Sequence, residues 1–255
     1  MARTKEVLAN SPWQALQGIG LSQPEGAAEE IAARVQRLIL AQELTDGSRL
    51  PSERDLAVLL STSRATVSQA IRILVVKGLV ESRRGSGAYV RMRPEVNLAT
   101  SINLMLDVEP GSVDALAELR LGLESTGIVK AIERATSDEL AEAERALCRL
   151  AQSAGDTASW MSADTYFHAT LISASHNAYL AAVFDSVHTA LINYEYRAWI
   201  DKGTVPSWLE SAQIDALTAI HEPILRAVQK RDVDGALYAV RHHHEVMMKH
   251  LRASQ

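Results

Sequence analysis

The chain is predicted to be mainly α-helical and built in two parts, an N-terminal head of short helices closed by a small β-hairpin and a C-terminal all-α bundle. Three observations predict this. Between Leu50 and Val90, two short amphipathic patterns separated by a polar break lead into a glycine-bearing stretch of alternating character. From Ser112 onward, apolar residues recur at helical spacing with almost no strand signal and few glycines. The charge is divided too: residues 26–93 hold 11 Lys and Arg against 7 Asp and Glu, whereas residues 94–255 hold 13 against 22. A basic module joined to an acidic one points to a polyanionic partner for the first part alone.

The 255 residues, 47% hydrophobic and 22% charged, suffice for two domains. No apolar run approaches the roughly 18 to 20 residues of a membrane span, and the N-terminus lacks the apolar core of a signal peptide, so a cytoplasmic location is expected. The single cysteine, Cys148, excludes an internal disulfide and a cysteine-rich zinc site, and reads as a small apolar residue on a helix.

In chain order, residues 1–26 are polar with scattered Pro and Gly and read as a mobile arm, in which Trp13 is either an anchor or an exposed aromatic. Ile31, Val35, Leu38 and Ile39 predict an amphipathic helix over 27–44, ended by Asp46-Gly47. Pro51 and the pair Ser52 and Asp55 mark the start of a second helix, whose apolar face is Leu56, Leu59 and Leu60. After the polar break Ser61–Ser63, a third helix carries Val67, Ala70, Ile71, Leu74 and Val75, and Gly78 stops it. Leu79–Ser82 and Ala88–Val90 read as two strands around Arg83-Arg84-Gly85-Ser86-Gly87. Two helices joined by a tight turn and followed by a basic-tipped hairpin form a winged helix-turn-helix over 27–92. Such a unit sets the N-terminal residues of its third helix against base edges and its wing against phosphates or the minor groove.

The segments LPSERDLA, SRATVSQAIRIL and GLVESRRGSGAYV, in this order, resemble the DNA-binding domain of the GntR family of bacterial transcription regulators. The resemblance implies DNA contacts from Arg54, from Ser63, Arg64 and Thr66, and from Arg84 and Gly85 in the wing. Two departures stand out. Many members have a glycine and then an apolar residue where this chain has Ser61 and Thr62, and many have an arginine where it has Ser68, so the operator sequence does not carry over from relatives.

Residues 93–111, between Pro94 and Pro110, read as a linker, with its short apolar stretch, Leu98–Leu106, open to forming one helix. Beyond it, periodicity predicts helices at about 112–135, 137–153, 157–174, 177–201, 206–230 and 232–252, which must bury their apolar stripes against one another. Asp164 and His168 are four apart and leave one helix face a turn apart. His221 and the run His242–His244 follow on later helices. One carboxylate and three imidazoles can hold zinc, nickel, manganese or iron, but spacing alone reads these histidines equally well as hydrogen-bonded core or surface residues.

Arg120 with Glu124, the run from Asp164 through His168 to Asn177, and His221, Asp232 and His243 at intervals of eleven resemble the FCD domain, the all-helical effector domain of the FadR subfamily of GntR regulators. The resemblance assigns 112–255 to effector binding and dimerisation, and implies a divalent metal, zinc first, at Asp164, His168, His221 and His243. His242 and His244 would point elsewhere, since adjacent helical residues differ by about 100°. It further implies a small organic acid effector met by Arg120, with Asn177 nearby. The plainer alternatives are an Arg120–Glu124 ion pair and an N-cap role for Asn177.

A metal-dependent hydrolytic enzyme fused to a DNA-binding module is the competing reading, because an open Asp/His site can activate water. Against it, the chain has no His-Glu-x-x-His run, phosphate-cradling glycine loop or nucleophile elbow. The expectation is therefore a non-enzymatic transcription regulator, a repressor that binds a palindromic operator as a homodimer and has no membrane association.

Overall fold

A computed structural model describes Trp13 and residues 26–41, 43–92, 95–210 and 214–253. The chain divides into two compact units, Met1–Asn97 and Leu98–Gln255. Among the described residues, no helix is long and apolar enough to cross a membrane.

In the first unit, α1 (Ala27–Leu40) buries Ile31, Ala32, Val35 and Ile39 against α3 (Arg64–Val76), which offers Val67, Ala70 and Leu74. The short α2 (Glu53–Leu59) adds Leu56 and Ala57. Local chemistry sets both starts: Ser52 accepts the Asp55 N–H at 3.2 Å, and Ser63 accepts the Thr66 N–H at 3.0 Å. Between the helices, Ser61 is left-handed, with φ 50°. The family pattern that this segment resembles has glycine at this position, the residue that adopts such a φ without a Cβ clash.

Gly78, at φ 68°, turns the chain from α3 into β1 (Val80–Arg83), which pairs antiparallel with β2 (Gly87–Val90). Val80 faces Val90 and Arg83 faces Gly87, so Arg84, Gly85 and Ser86 form the tip. Trp13 is buried in this core, which answers the question about that residue. The arm expected around it lies outside the described residues.

The second unit is all-helical: α4 (Glu95–Val108), α5 (Val113–Arg134), α6 (Ser137–Gln152), α7 (Thr157–Ser173), α8 (Ala178–Lys202), α9 (Ile214–Gln229) and α10 (Val233–Ala253). The stretch read as a linker is thus largely helix α4, and its Ile102 and Leu106 are buried with Val187 and Ala190 of α8. The helix expected from 206 begins at Ile214, because Pro206 opens a 3-10 turn over Ser207–Leu209 that buries Trp208 and Leu209. Caps again set the starts: Thr136 and Glu139 form a reciprocal box at α6, and Asp156 accepts the Ser159 N–H at α7.

Helix α5 runs through the bundle, packing on α7, α8 and α10. At its crossing with α7 the fit is close. A Cβ on Gly127 would lie 2.5 Å from Ile172 Cδ1 and 3.1 Å from its Cγ2, and Ile172 is itself fully buried. A side chain at this position would have to displace buried Ile172, so the glycine allows the two helices their close contact here.

Candidate DNA-reading surface and metal centre

The residues expected to touch DNA lie on the exposed faces of α2, α3 and the wing. Arg54, Ser63, Arg64 and Arg84 are exposed, and Thr66 is half-buried. Ser63 and Thr66 also serve the helix itself, with their hydroxyls 2.8 Å apart beside the cap. Arg64 is 70% exposed and reaches only to 4.0 Å from Glu53 Oε2 across the turn, leaving its guanidinium available. In the wing, Arg83 is occupied, bonded to Glu81 at 2.9 Å and lying over the Tyr89 ring at 4.6 Å. Arg84, at the tip, has no such partner among the described residues, and Gly85 takes φ 74°. Beyond the expected set, Gln69 and Arg72 share the same exposed concavity as Arg64. Ser68, in the same concavity, is i+4 from Arg64 and Arg72 is i+4 from Ser68 and i+3 from Gln69, helical spacings that could have indicated a common face.

In the bundle, side chains far apart in sequence converge. Asp164 and His168 come from α7, His221 from α9 and His243 from α10; all four are buried, and one ligand atom from each lies within 4.8 Å of the others. Asp164 Oδ1 lies 3.0 Å from His221 Nε2 and 3.6 Å from His168 Nε2. The ring orientations are set from outside the cluster. His221 Nδ1 lies 2.7 Å from the Leu217 carbonyl, to which it donates, leaving a lone pair on Nε2. His168 Nδ1 lies 2.5 Å from Glu124 Oε1, and its Nε2, turned toward Asp164, has no hydrogen-bond partner in the protein. A carboxylate or carbonyl behind each imidazole is how metal-binding histidines are oriented.

The donor set fits a divalent cation. His221 Nε2 and His243 Nε2 face each other at 3.0 Å, and two nitrogens bound at right angles about 2.1 Å from one ion would lie about 3.0 Å apart. Burial pushes the Asp164 carboxyl up, but His168, His188 and His221 outweigh it and hold the group well below the usual carboxylate range. Burial opposes the charge on His168, yet Glu124 and Asp164 raise its pKa to about 9. The same balance, burial against His168 and Arg120, brings Glu124 down to about 2. Burial and His221 depress His243 well below the ordinary histidine range, keeping it neutral as a ligand must be.

Arg120 is buried on α5, with Nε 3.6 Å from Glu124 Oε2, so the expected ion pair exists. Its Nε and Nη2 nonetheless lack hydrogen-bond partners, so the guanidinium, though ion-paired, keeps donor capacity that an anion could use. Asn177 is exposed and caps α8, the plainer of its two expected roles, its Oδ1 accepting the Leu180 N–H at 3.1 Å. Asp232 likewise caps α10, bonding the Gly235 N–H at 3.0 Å. Cys148 is exposed rather than packed. Two residues absent from the expected set are present in the core, His188 and Glu195 of α8. They share the stripe of Phe184 and Leu191, and polar residues interrupting an apolar stripe were the signal available.

Two family models match the chain: "Bacterial regulatory proteins, gntR family" over residues 27–90 and "FCD domain" over residues 115–246. A protein of Escherichia coli (strain K12), named as a candidate regulator of the L-lactate dehydrogenase operon, is 29% identical over 228 residues, covering 86% of this chain and 84% of that protein. The HTH-type transcriptional repressor NanR of Cronobacter sakazakii is 28% identical over 219 residues, covering 85% of this chain and 82% of its own. The solved structure of Streptococcus agalactiae GntR matches with a TM-score of 0.64 at 26% identity, covering 87% of this chain and 99% of that one. With a GntR reading head in its first unit and an FCD domain across more than half of its length, the chain belongs to the GntR family of bacterial regulatory proteins and is a DNA-binding transcription regulator.

Proposed function

We propose that the protein is a homodimeric repressor, released from a palindromic operator when a small organic acid binds at a metal centre in the helical unit. The observation that carries this reading is the convergence of four buried ligands from three helices beside a buried arginine with unpartnered nitrogens. Asp164, His168, His221 and His243 would hold the ion, zinc being the first candidate for three imidazoles and a carboxylate. When bound, it supplies a Lewis-acidic position for a carboxylate oxygen. Arg120 offers the second point of attachment for that carboxylate.

Two further considerations support the reading. One relative carries the name of a repressor and another that of an operon regulator for metabolism of an organic acid. One recognition helix also spans too few base pairs for a unique site, so paired heads on a palindrome are the economical arrangement. Arg54, Ser63, Arg64, Thr66, Arg84 and Gly85 would then position and read each half-site. The effector shifts the protein away from DNA only by its differential affinity for the two states.

The test is elemental analysis of the purified full chain, followed by gel-shift titration on a selected operator with an organic-acid panel, with and without chelator. About one metal per chain, and an acid that releases DNA only when metal is present, is the expected result. A metal-free protein that binds acids equally well in chelator would refute the metal-centred sensor.

A further inference from the structure

The wing has a short third edge besides its two strands. Ahead of α2, residues 47–50 run antiparallel to β2, with Arg49 opposite Tyr89. The Leu50 N–H donates to the Ala88 carbonyl at 2.8 Å, and the Val90 N–H donates to the Ser48 carbonyl at 2.8 Å. Residues opposite one another in such a ladder place their side chains on the same face. Glu81 faces Tyr89 and Arg83 faces Gly87 across the other edge of β2. Arg49, Glu81, Arg83, Gly87 and Tyr89 therefore share one face of the wing, opposite to that of the buried Ala88 and Val90.

The two arginines cross over on this face. Arg83, opposite Gly87, reaches to the Tyr89 ring, whereas Arg49, opposite Tyr89, reaches to Gly87. The Arg49 guanidinium lies where a side chain would otherwise begin: its Nε is 3.4 Å and its Nη2 3.6 Å from the place of a Cβ on Gly87. The glycine gives it a seat on bare backbone. Glu81, the acid on this face, is taken by Arg83 and Arg91, each at 2.9 Å, and Arg91 also pairs with Asp46. Arg49 is exposed and has neither an ion pair nor a hydrogen bond among the described residues. A guanidinium already resting on a surface, with its N–H groups open, loses less freedom on meeting an anion than a side chain in free solution.

We propose that Arg49 is a DNA-contacting residue whose guanidinium bonds a backbone phosphate beside the wing. Arg84 and Gly85 lie beyond Gly87 along the hairpin and would enter the groove first, which leaves Arg49 the phosphates at its edge. The inference needs only that the chain binds DNA and is independent of any effector. It adds to the reading head a contact from outside both the recognition helix and the hairpin.

Fluorescence anisotropy of the full chain on a random duplex and on a selected operator, between roughly 50 and 200 mM salt, tests it. Loss of one phosphate contact should flatten the slope of log affinity against log salt by about 0.9 for each protomer bound. R49Q should show this on both duplexes, and R49K, which keeps the charge, should hold the wild-type slope. K249Q, which takes one exposed positive charge from the helical unit, should hold it too. In the wild-type chain, DNA should shield Arg49 from an arginine-specific dicarbonyl reagent, read by peptide mass spectrometry. An unchanged R49Q slope overturns the proposal, and so does an equal loss in K249Q. An equal loss in R49Q and R49K would reduce Arg49 to packing over Gly87, and a loss confined to the operator would make it a base contact; either overturns the phosphate assignment. Equal reactivity of Arg49 with and without DNA overturns it without recourse to any variant.

Discussion

Glu124 of α5 and His168 of α7, 44 residues apart, meet at 2.5 Å with both side chains buried. The contact fixes which imidazole nitrogen faces Asp164, because the proton on Nδ1 is committed to the carboxylate. It also supplies negative charge that raises the basicity of the ring.

Glu124→Gln should weaken metal binding by about 10- to 100-fold, the usual effect of removing a carboxylate behind a ligating histidine. Competition with a chromophoric chelator measures it. An unchanged affinity would make Glu124 only a partner for Arg120.

Arg64→Ala should cost about 1 to 3 kcal/mol of binding to a selected operator if the guanidinium reads a base. Fluorescence anisotropy against random DNA separates the cases. An equal loss on both sequences would assign Arg64 to the phosphate backbone.

Ser61, at φ 50°, holds a conformation that disfavours a Cβ. Ser61→Gly should therefore stabilise the first unit by about 0.5 to 1 kcal/mol, relief of left-handed strain offset in part by the freer unfolded chain. Urea denaturation gives the sign, and a destabilised variant would contradict the strain argument.

Much of the fold was legible because its determinants are local. The helix-turn-helix announces itself through the Ser52 cap and the polar break Ser61–Ser63, whose last residue the structure shows capping α3, and the wing through Gly78 and Gly85, both at positive φ. What was missed depended on partners distant in sequence. Prolines 94 and 110 read as the ends of a linker open to one helix, and the burial of Ile102 and Leu106 against α8, which packs that helix into the bundle, was not readable. Asp164 and His168 were readable as a pair by their spacing. His221 and His243 were named with them only through the family resemblance, because their meeting depends on how the helices cross, and His188 beside Asp164 was not read at all.

Glu195 gives a pH-dependent test. Burial, with Oε1 unpartnered, raises its carboxyl from 4.5 to about 7. Between those values the folded chain keeps a proton that the unfolded chain releases, so the group costs progressively more stability as pH rises from 4.5 to 7. Glu195→Gln should remove that cost, gaining about 2 to 3 kcal/mol at pH 8 and little near pH 4.5. Chemical denaturation at pH 8 and pH 5 checks it. A gain independent of pH would point to packing instead.

The four ligands come from α7, α9 and α10, and 53 residues separate His168 from His221. An ion gripping all of them would be a staple across the bundle, because a ligand that binds only the folded chain adds to its stability by mass action. Sensor and scaffold would then be inseparable. A cell short of the metal would hold fewer intact regulator molecules, since the stripped chain opens more often and is cut by proteases while open. Starvation for the ion would thus lift repression through protein turnover, without any effector.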